Sequence, residues 1–270
     1  MNIKSIIKQI IPAFVIQKIK PLFHVIRYKI KAYFHKGNKY ICPFCNYQAK
    51  DLEPLGLEFP VLKEKEIIGA GRRNSGCYCC GSQDRERLIY LYLKDYMRIF
   101  EKADKIKILH FSPEKELCRA LRNGDFQLYL CGDLYTKGYS YPSYVIDMNV
   151  LNIPHEDNTF DVVICNHVLE HIPNDLDAMK EIYRVLRKGG QAILQVPISK
   201  KLETTFEDSN IQTPKQRELA FGQYDHVRIY GQDYSERLSL SGFTVERCNI
   251  SEEYTEYGVN VKEDIFVVRK

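Results

Sequence analysis

Residues 1–40 contain no aspartate or glutamate, yet nine lysines and arginines fall among them. The whole chain has 39 Lys/Arg against 35 Asp/Glu, a formal charge of +4. The remaining 230 residues therefore hold 30 basic and 35 acidic side chains and are net negative. The basic character belongs to the N-terminal segment and to whatever surface it meets, not to the larger body of the chain. A long uncharged run is also missing there. The longest, Gln9–Gln17, is interrupted by Pro12 and falls far short of the roughly 18 residues a membrane-spanning helix needs. No small-residue cleavage site follows an apolar core, so no cleaved signal peptide is expected. Internal repeats are lacking too. An apolar fraction of 44% with 27% charged residues excludes a disordered chain, and the length suits one α/β domain with a small appendage.

What the N-terminus does contain is an amphipathic pattern. Leu22, Phe23, Val25, Ile26, Ile30 and Phe34 cluster on one helical face, with Arg27, Lys29 and Lys31 elsewhere. Three partners fit a basic amphipathic helix of this kind: an anionic membrane surface met peripherally by residues 1–36, nucleic acid, or the protein itself. We take residues 1–38 as this segment.

Nine cysteines follow a different logic. Cys42-Pro43-Phe44-Cys45 and Cys77-Tyr78-Cys79-Cys80-Gly81 supply two C-x-x-C pairs separated by 31 residues. Each pair forms a tight turn that aims two thiolates at one ion, and two such turns complete a closed tetrahedral shell. That is the pattern of structural Zn2+, with Cys42, Cys45, Cys77 and Cys80 as ligands and Cys79 pointing away. Four reduced core cysteines, or two disulfides, are the alternatives. The segment, residues 39–83, resembles a zinc ribbon with a long intervening loop. Cys118, Cys131, Cys165 and Cys248 lie in apolar patterns and read as core. Together the nine argue for a reducing, cytoplasmic setting. A helix is expected from Asp84 through Phe100, with Ser82 or Asp84 as its N-cap, packed between the two parts and fixing their relation.

The stretch from Asn158 to Pro197 organises the rest. Phe160–Cys165 is a β-branched run suited to a strand buried on both faces. Leu176, Met179, Ile182, Tyr183 and Leu186 then recur at helical spacing, Lys188-Gly189-Gly190 reads as the helix stop, and Ala192–Val196 as the next strand. Strand, helix, strand is a βαβ unit of a parallel sheet. Asn166, His167, Glu170 and His171 sit just past the first strand's carboxyl end, where open α/β sheets bind ligands. "FDVVICNHVLEHI" with "EIYRVLRKGGQAILQVP" resembles the class I S-adenosylmethionine (SAM) methyltransferases of the type 11 group, a likeness that covers roughly residues 105–250.

The resemblance implies an α/β, doubly wound, mostly parallel seven-stranded sheet of Rossmann-like methyltransferase type over residues 84–270, with a cap insertion at about 198–232. It implies SAM as cofactor. The family's first strand ends in an acid followed by alternating glycines; here His110 replaces the acid, and Ser112, Glu114 and Glu116 replace the glycines. Ser112-Pro113 still reads as N-cap and first helical residue, so the helix start can offer N–H groups to the cofactor's carboxylate. Glu114 then stands where it could meet the ammonium. Asp133, 23 residues after His110, is placed for the ribose hydroxyls, in keeping with the roughly 20-residue spacing of nucleotide folds. Asp147 corresponds to the acceptor for the adenine amino group, with Met148 or Leu134 on the purine; Asn166 and His167 complete the cofactor set. Helix 233–241 and two antiparallel strands, 243–250 and 264–268, close the sheet.

The cap segment is polar and aromatic, too polar for core. Within it His226 is a candidate base or substrate ligand, and His171 is a second; a hydrogen-bonded structural role is the alternative for each. The enzyme reading is a SAM-dependent methyltransferase for a small-molecule or glycan-like acceptor beside a membrane surface. RNA methylation through the zinc-binding segment and basic arm, or a catalytically inactive SAM-fold scaffold lacking the glycines, are the alternatives.

Overall fold

The computed structural model describes residues 28–270. The face centred on Leu22–Ile26 thus lies outside the described residues. Its last part is described: residues 28–34 are helical, and Ile30, Tyr33 and Phe34 are exposed. No described helix is long and apolar enough to cross a membrane.

Residues 36–76 form two small antiparallel sheets. Strand β1 (Lys36–Ile41) pairs with β2 (Gln48–Ala49), and β3 (Glu53–Leu55) pairs with β5 (Arg73–Gly76). Cys42–Cys45 occupies the turn between β1 and β2, and Cys77–Cys80 follows β5, so the two C-x-x-C turns arise at the ends of separate hairpins. The long loop between them is not idle. It carries helix α1 (Pro60–Glu64) and β4 (Ile67–Ile68), and projects over the tips of the main sheet.

Helix α2 (Asp84–Leu91) is capped by neither Ser82 nor Asp84. Gln83 is its N-cap, because Glu86 reaches back to the Gln83 N–H at 2.7 Å. It also breaks earlier than expected, widening into a π turn at Tyr92–Tyr96 before Arg98 takes φ 49°. The relation of the two parts is fixed by Arg87, 1% exposed. Its guanidinium donates to the carbonyls of Ser75, Ser82, Tyr257 and Gly258 at 2.6–2.8 Å.

The main sheet comprises β6 (Lys107–Phe111), β7 (Leu128–Asp133), β8 (Val145–Asp147), β9 (Phe160–Asn166), β10 (Leu186–Gln195), β14 (Thr244–Cys248) and β15 (Ile265–Arg269). Their order is β14-β15-β10-β9-β6-β7-β8. Only β15 runs against the others, pairing antiparallel with both β10 and β14. The two final strands are therefore antiparallel to each other, but β14 is parallel to the rest. Alternate residues bury on opposite faces. Leu109, Phe111, Val163 and Cys165 pack on helix α4 (Asp175–Val185). Ile108, Val162, Ile164 and Ile193 pack on α2 and on α3 (Lys115–Arg122).

Two glycine-linked expectations need correction. Helix α4 ends at Val185, and Leu186 (φ −73°, ψ 132°) already pairs with Phe160 as the first residue of β10. Gly189, at φ 75°, instead lies within β10, where the register shifts between Leu186 and Gln191. Likewise α3 begins two residues past the expected start, with Glu114 as N-cap. Ser112 is not a cap; it adopts φ 47° and bonds across to β7, its N–H donating to the Gly132 carbonyl at 2.8 Å.

The cap, β11 (Ile198–Ser199), β12 (Phe206–Glu207), α5 (Pro214–Phe221) and β13 (Arg228–Ile229), is followed by α6 (Tyr234–Ser239). It is not simply polar. Phe221 and Ile229 form a buried cluster with Val61, Leu62 and Ile67 from the N-terminal loop, and β4 pairs with β11. The loop and the cap thus share one small core above the sheet.

Candidate functional site

The strand order reverses between β6 and β9, which places the ligand-binding crevice of such a sheet at their carboxyl tips. Both tips carry a non-glycine residue in left-handed backbone, Ser112 at φ 47° after β6 and His167 at φ 55° after β9. Side chains there cost on the order of 1 kcal/mol or more, and such outliers concentrate at functional sites.

At the β6 tip, His110 is completely buried. Its Nδ1 lies 2.8 Å from the Tyr129 hydroxyl and its Nε2 3.0 Å from Glu114 Oε2. The other Glu114 oxygen accepts from Asn166 Nδ2 at 3.2 Å, so this side chain bridges the tips of β6 and β9. Burial alone would raise the Glu114 carboxyl, but the bond to His110 holds it below the usual range. His110 therefore has both ring nitrogens engaged and is placed to orient Glu114, not to touch a ligand.

Asp133 ends β7, half-buried, and accepts from the Ser112 hydroxyl at 3.2 Å. Burial raises its carboxyl. Asp147 ends β8, exposed, and accepts from the Tyr135 N–H at 2.9 Å. Leu134 is 52% exposed between them, whereas Met148 is 2% exposed and belongs to the core. An added Cβ on Gly132 would lie 3.0 Å from the Met148 sulfur. Of the two residues expected on a purine, only Leu134 is accessible.

Beyond β9 a second group of side chains surrounds a cavity of about 290 Å3 between the N-terminal loop, the sheet tips and the cap. His167, Glu170, His171 and His226 line it, with Gly69, Gly71 and Arg85 opposite. His171 Nδ1 is 3.3 Å from Asp225 Oδ2, and the His171 and His226 rings meet edge to face at 4.7 Å. Burial pushes His226 down to about 4. Burial raises and His167 lowers the Glu170 carboxyl, which settles near 2. Burial would also lower His171, but Asp225 outweighs it and raises the imidazole. Both candidate histidines thus share one wall, and His167 joins them there.

Sequence reasoning placed Glu170 past the tip of its strand beside His167 and His171 but gave it no role of its own. It passed over Asp225, Arg85 and the loop glycines. The latter carried no local signal, because a loop reaching in from between the cysteine pairs brings them together.

The four cysteines converge as well. Ligand atoms of Cys42, Cys45, Cys77 and Cys80 all lie within 4.8 Å of one another. Cys42 Sγ is 3.6 Å from Cys80 Sγ, and Cys45 Sγ is 3.8 Å from Cys77 Sγ. A tetrahedral zinc with Zn–S of about 2.3 Å requires S–S separations of about 3.8 Å, so the set fits that ion. Cys79 is exposed and outside the cluster. Cys118, Cys131 and Cys165 are buried, as expected of core, while Cys248 is half-buried.

Comparison with known proteins bears on this geometry. An uncharacterized protein of Methanocaldococcus jannaschii is 45% identical over 65 residues, covering 23% of this chain and 28% of that protein. A demethylmenaquinone methyltransferase of Alkalihalophilus pseudofirmus is 33% identical over 118 residues, covering 41% and 45%. A crystal structure of a SAM-dependent methyltransferase from Archaeoglobus fulgidus is similar with a TM-score of 0.45 at 12% identity, over 70% of this chain and 95% of that one. The chain spans less than half the length of these two curated relatives. Residues 115–194, from α3 through β10, match the family described as a methyltransferase domain. This part of the chain is similar to that domain.

Proposed function

We propose that the protein is a SAM-dependent methyltransferase acting on a small, polar or glycan-like acceptor held in the cavity above β9 and β10. The observation that carries the reading is the domain match over residues 115–194, which takes in β7, β8 and the β9 side of the switch point and begins just after β6. Demethylmenaquinone and sterol methyltransferases among the similar proteins are named for small-molecule acceptors. The charged lining of the cavity favours a polar one here.

Bound SAM would supply an electrophilic methyl group, so the chain's task is to hold donor and acceptor in line and exclude water. The residues present fit that cofactor. Asp133 has acceptor capacity beyond its bond from Ser112 and would take the ribose hydroxyls. Asp147 would accept from the adenine amino group, with exposed Leu134 against the ring. Ser112 makes the left-handed turn that a glycine would make, which keeps the first loop close to the strand tips. Glu114, oriented by His110, would receive the ammonium group, with Asn166 and His167 beside it. His226 or His171 would face the acceptor's hydroxyl.

In the same proposal Cys42, Cys45, Cys77 and Cys80 hold a structural zinc that folds residues 39–83. Residues 1–36 meet an anionic membrane surface, a reading supported by their unopposed basic charge and the exposed Ile30 and Phe34. Calorimetric titration of the full chain with SAM and its demethylated product tests the enzyme reading. Micromolar binding of both is expected; no heat at millimolar ligand would leave the scaffold alternative.

A further inference from the structure

We propose that Glu170, His171 and His226 form a second metal site, for a first-row divalent cation, in the wall of the cavity above β9. One ligand atom from each lies within 4.8 Å of the others. The donors come from two segments joined by a backbone bond, the Val227 N–H to the Glu170 carbonyl at 2.9 Å. They therefore hold their places without an ion.

The hydrogen bonding is what a ligand set requires. Glu170 is 2% exposed, and its Oε2 has no partner although it faces the cavity. A buried carboxylate oxygen left unpaired is costly, and a cation is the partner it would take. Asp225 engages His171 through Nδ1 at 3.3 Å, which leaves Nε2 free, the way an outer carboxylate orients a metal-binding imidazole. Among the described residues neither ring nitrogen of His226 has a hydrogen-bond partner, and His226 is 6% exposed. Binding one ion at the roughly 2.1 Å of imidazole and carboxylate ligands would require the three donors to close in from these separations.

Two imidazoles and one carboxylate on one side suit manganese, iron, cobalt or zinc. Calcium and magnesium prefer shells of oxygen alone. The cavity leaves the remaining coordination positions open, so the ion would take an acceptor with two adjacent oxygens and lower the pKa of the hydroxyl to be methylated. With metal bound, His226 is a ligand and not a proton acceptor. This role in methylation rests on the proposed methyl-donor function; the metal site does not.

Mn2+ is the probe, because it favours carboxylate and imidazole over thiolate and leaves the cysteine cluster alone. The full chain, loaded with zinc and then dialysed against a mild chelator, is titrated with Mn2+ while electron paramagnetic resonance follows the free ion. One Mn2+ per chain is expected, with affinity lowered at least tenfold in Glu170→Gln and in His226→Ala. Circular dichroism on both variants establishes that they are folded, and His171→Ala provides a third test should one of them not be. No uptake by the unaltered chain, or equal uptake by the folded variants, overturns the site. Calorimetry with SAM on the same zinc-loaded, dialysed protein is read separately: Mn2+ uptake without SAM binding keeps the metal site and removes its role in methylation.

Discussion

His110 Nε2 lies 3.0 Å from Glu114 Oε2, a buried histidine and a half-buried glutamate that close the first loop of the sheet over the tip of its own strand. The pair stands where the resemblance to SAM methyltransferases implies an acid followed by alternating glycines. A carboxylate is thus restored to the crevice from four residues downstream, aimed by a histidine that has no other access to it. If Glu114 receives the cofactor's ammonium group, Glu114→Gln removes a charge-assisted bond of roughly 1.5–3 kcal/mol. SAM affinity should fall about tenfold or more by calorimetry, with the melting temperature little changed.

A second prediction concerns the joint between cap and sheet. Asp175, 1% exposed, accepts from Arg237 at 2.8 Å and from the Tyr230 hydroxyl at 2.7 Å, and faces the buried Arg228. Asp175→Asn takes the bidentate carboxylate from Arg237, while Arg228 keeps Glu207 and three backbone carbonyls, and should destabilise the protein by about 3 kcal/mol in urea unfolding. Burial raises the Asp175 carboxyl, but the bonds from Arg237 and Tyr230 prevail and lower it. Its contribution is therefore present above the ordinary aspartate range and lost as pH falls through the lowered folded value. The gap between wild type and variant should narrow in acid.

A third prediction follows from the cysteine cluster. Cys42→Ser should cost the chain its thiolate-bound zinc, read as loss of the thiolate charge-transfer band of the cobalt-substituted protein. Since metal binding contributes folding free energy on the order of 10 kcal/mol to such small modules, residues 39–83 should become sensitive to protease. Retention of the band would contradict the ligand assignment.

The N-terminal segment yields a fourth. Residues 28–35 dock on the module: the His35 ring stacks on Tyr78 at 3.8 Å, and the Lys50 N–H donates to the His35 carbonyl at 3.0 Å. Truncation to test membrane contact should therefore remove only residues 1–26. The shortened chain should no longer sediment with anionic vesicles at physiological salt, while its melting temperature stays unchanged.

The sheet was legible because its strands are buried on both faces and so spell themselves as apolar runs; Phe160–Cys165 could hardly be anything else. Boundaries that depend on where one turn ends were not. Gly189 has the same letter whether it caps a helix or forms a bulge, and tertiary pairing of Leu186 with Phe160 decided it. At the site, residues within one motif were found together, whereas the cavity was hidden. Its roof comes from the loop between the cysteine pairs, and that loop looked like excess length until β4 paired with β11. Cap residues Phe221 and Ile229 were likewise unreadable as core without Val61 and Leu62, some 160 positions away.

The most direct test of the methyl-donor crevice is the affinity of Asp133→Ala for SAM, measured by calorimetry beside the unaltered chain. Loss of the ribose contacts predicts at least a tenfold weaker complex, equivalent to about 1.4 kcal/mol, in a protein that melts normally. Equal affinity in the two proteins would place the cofactor elsewhere and contradict the reading.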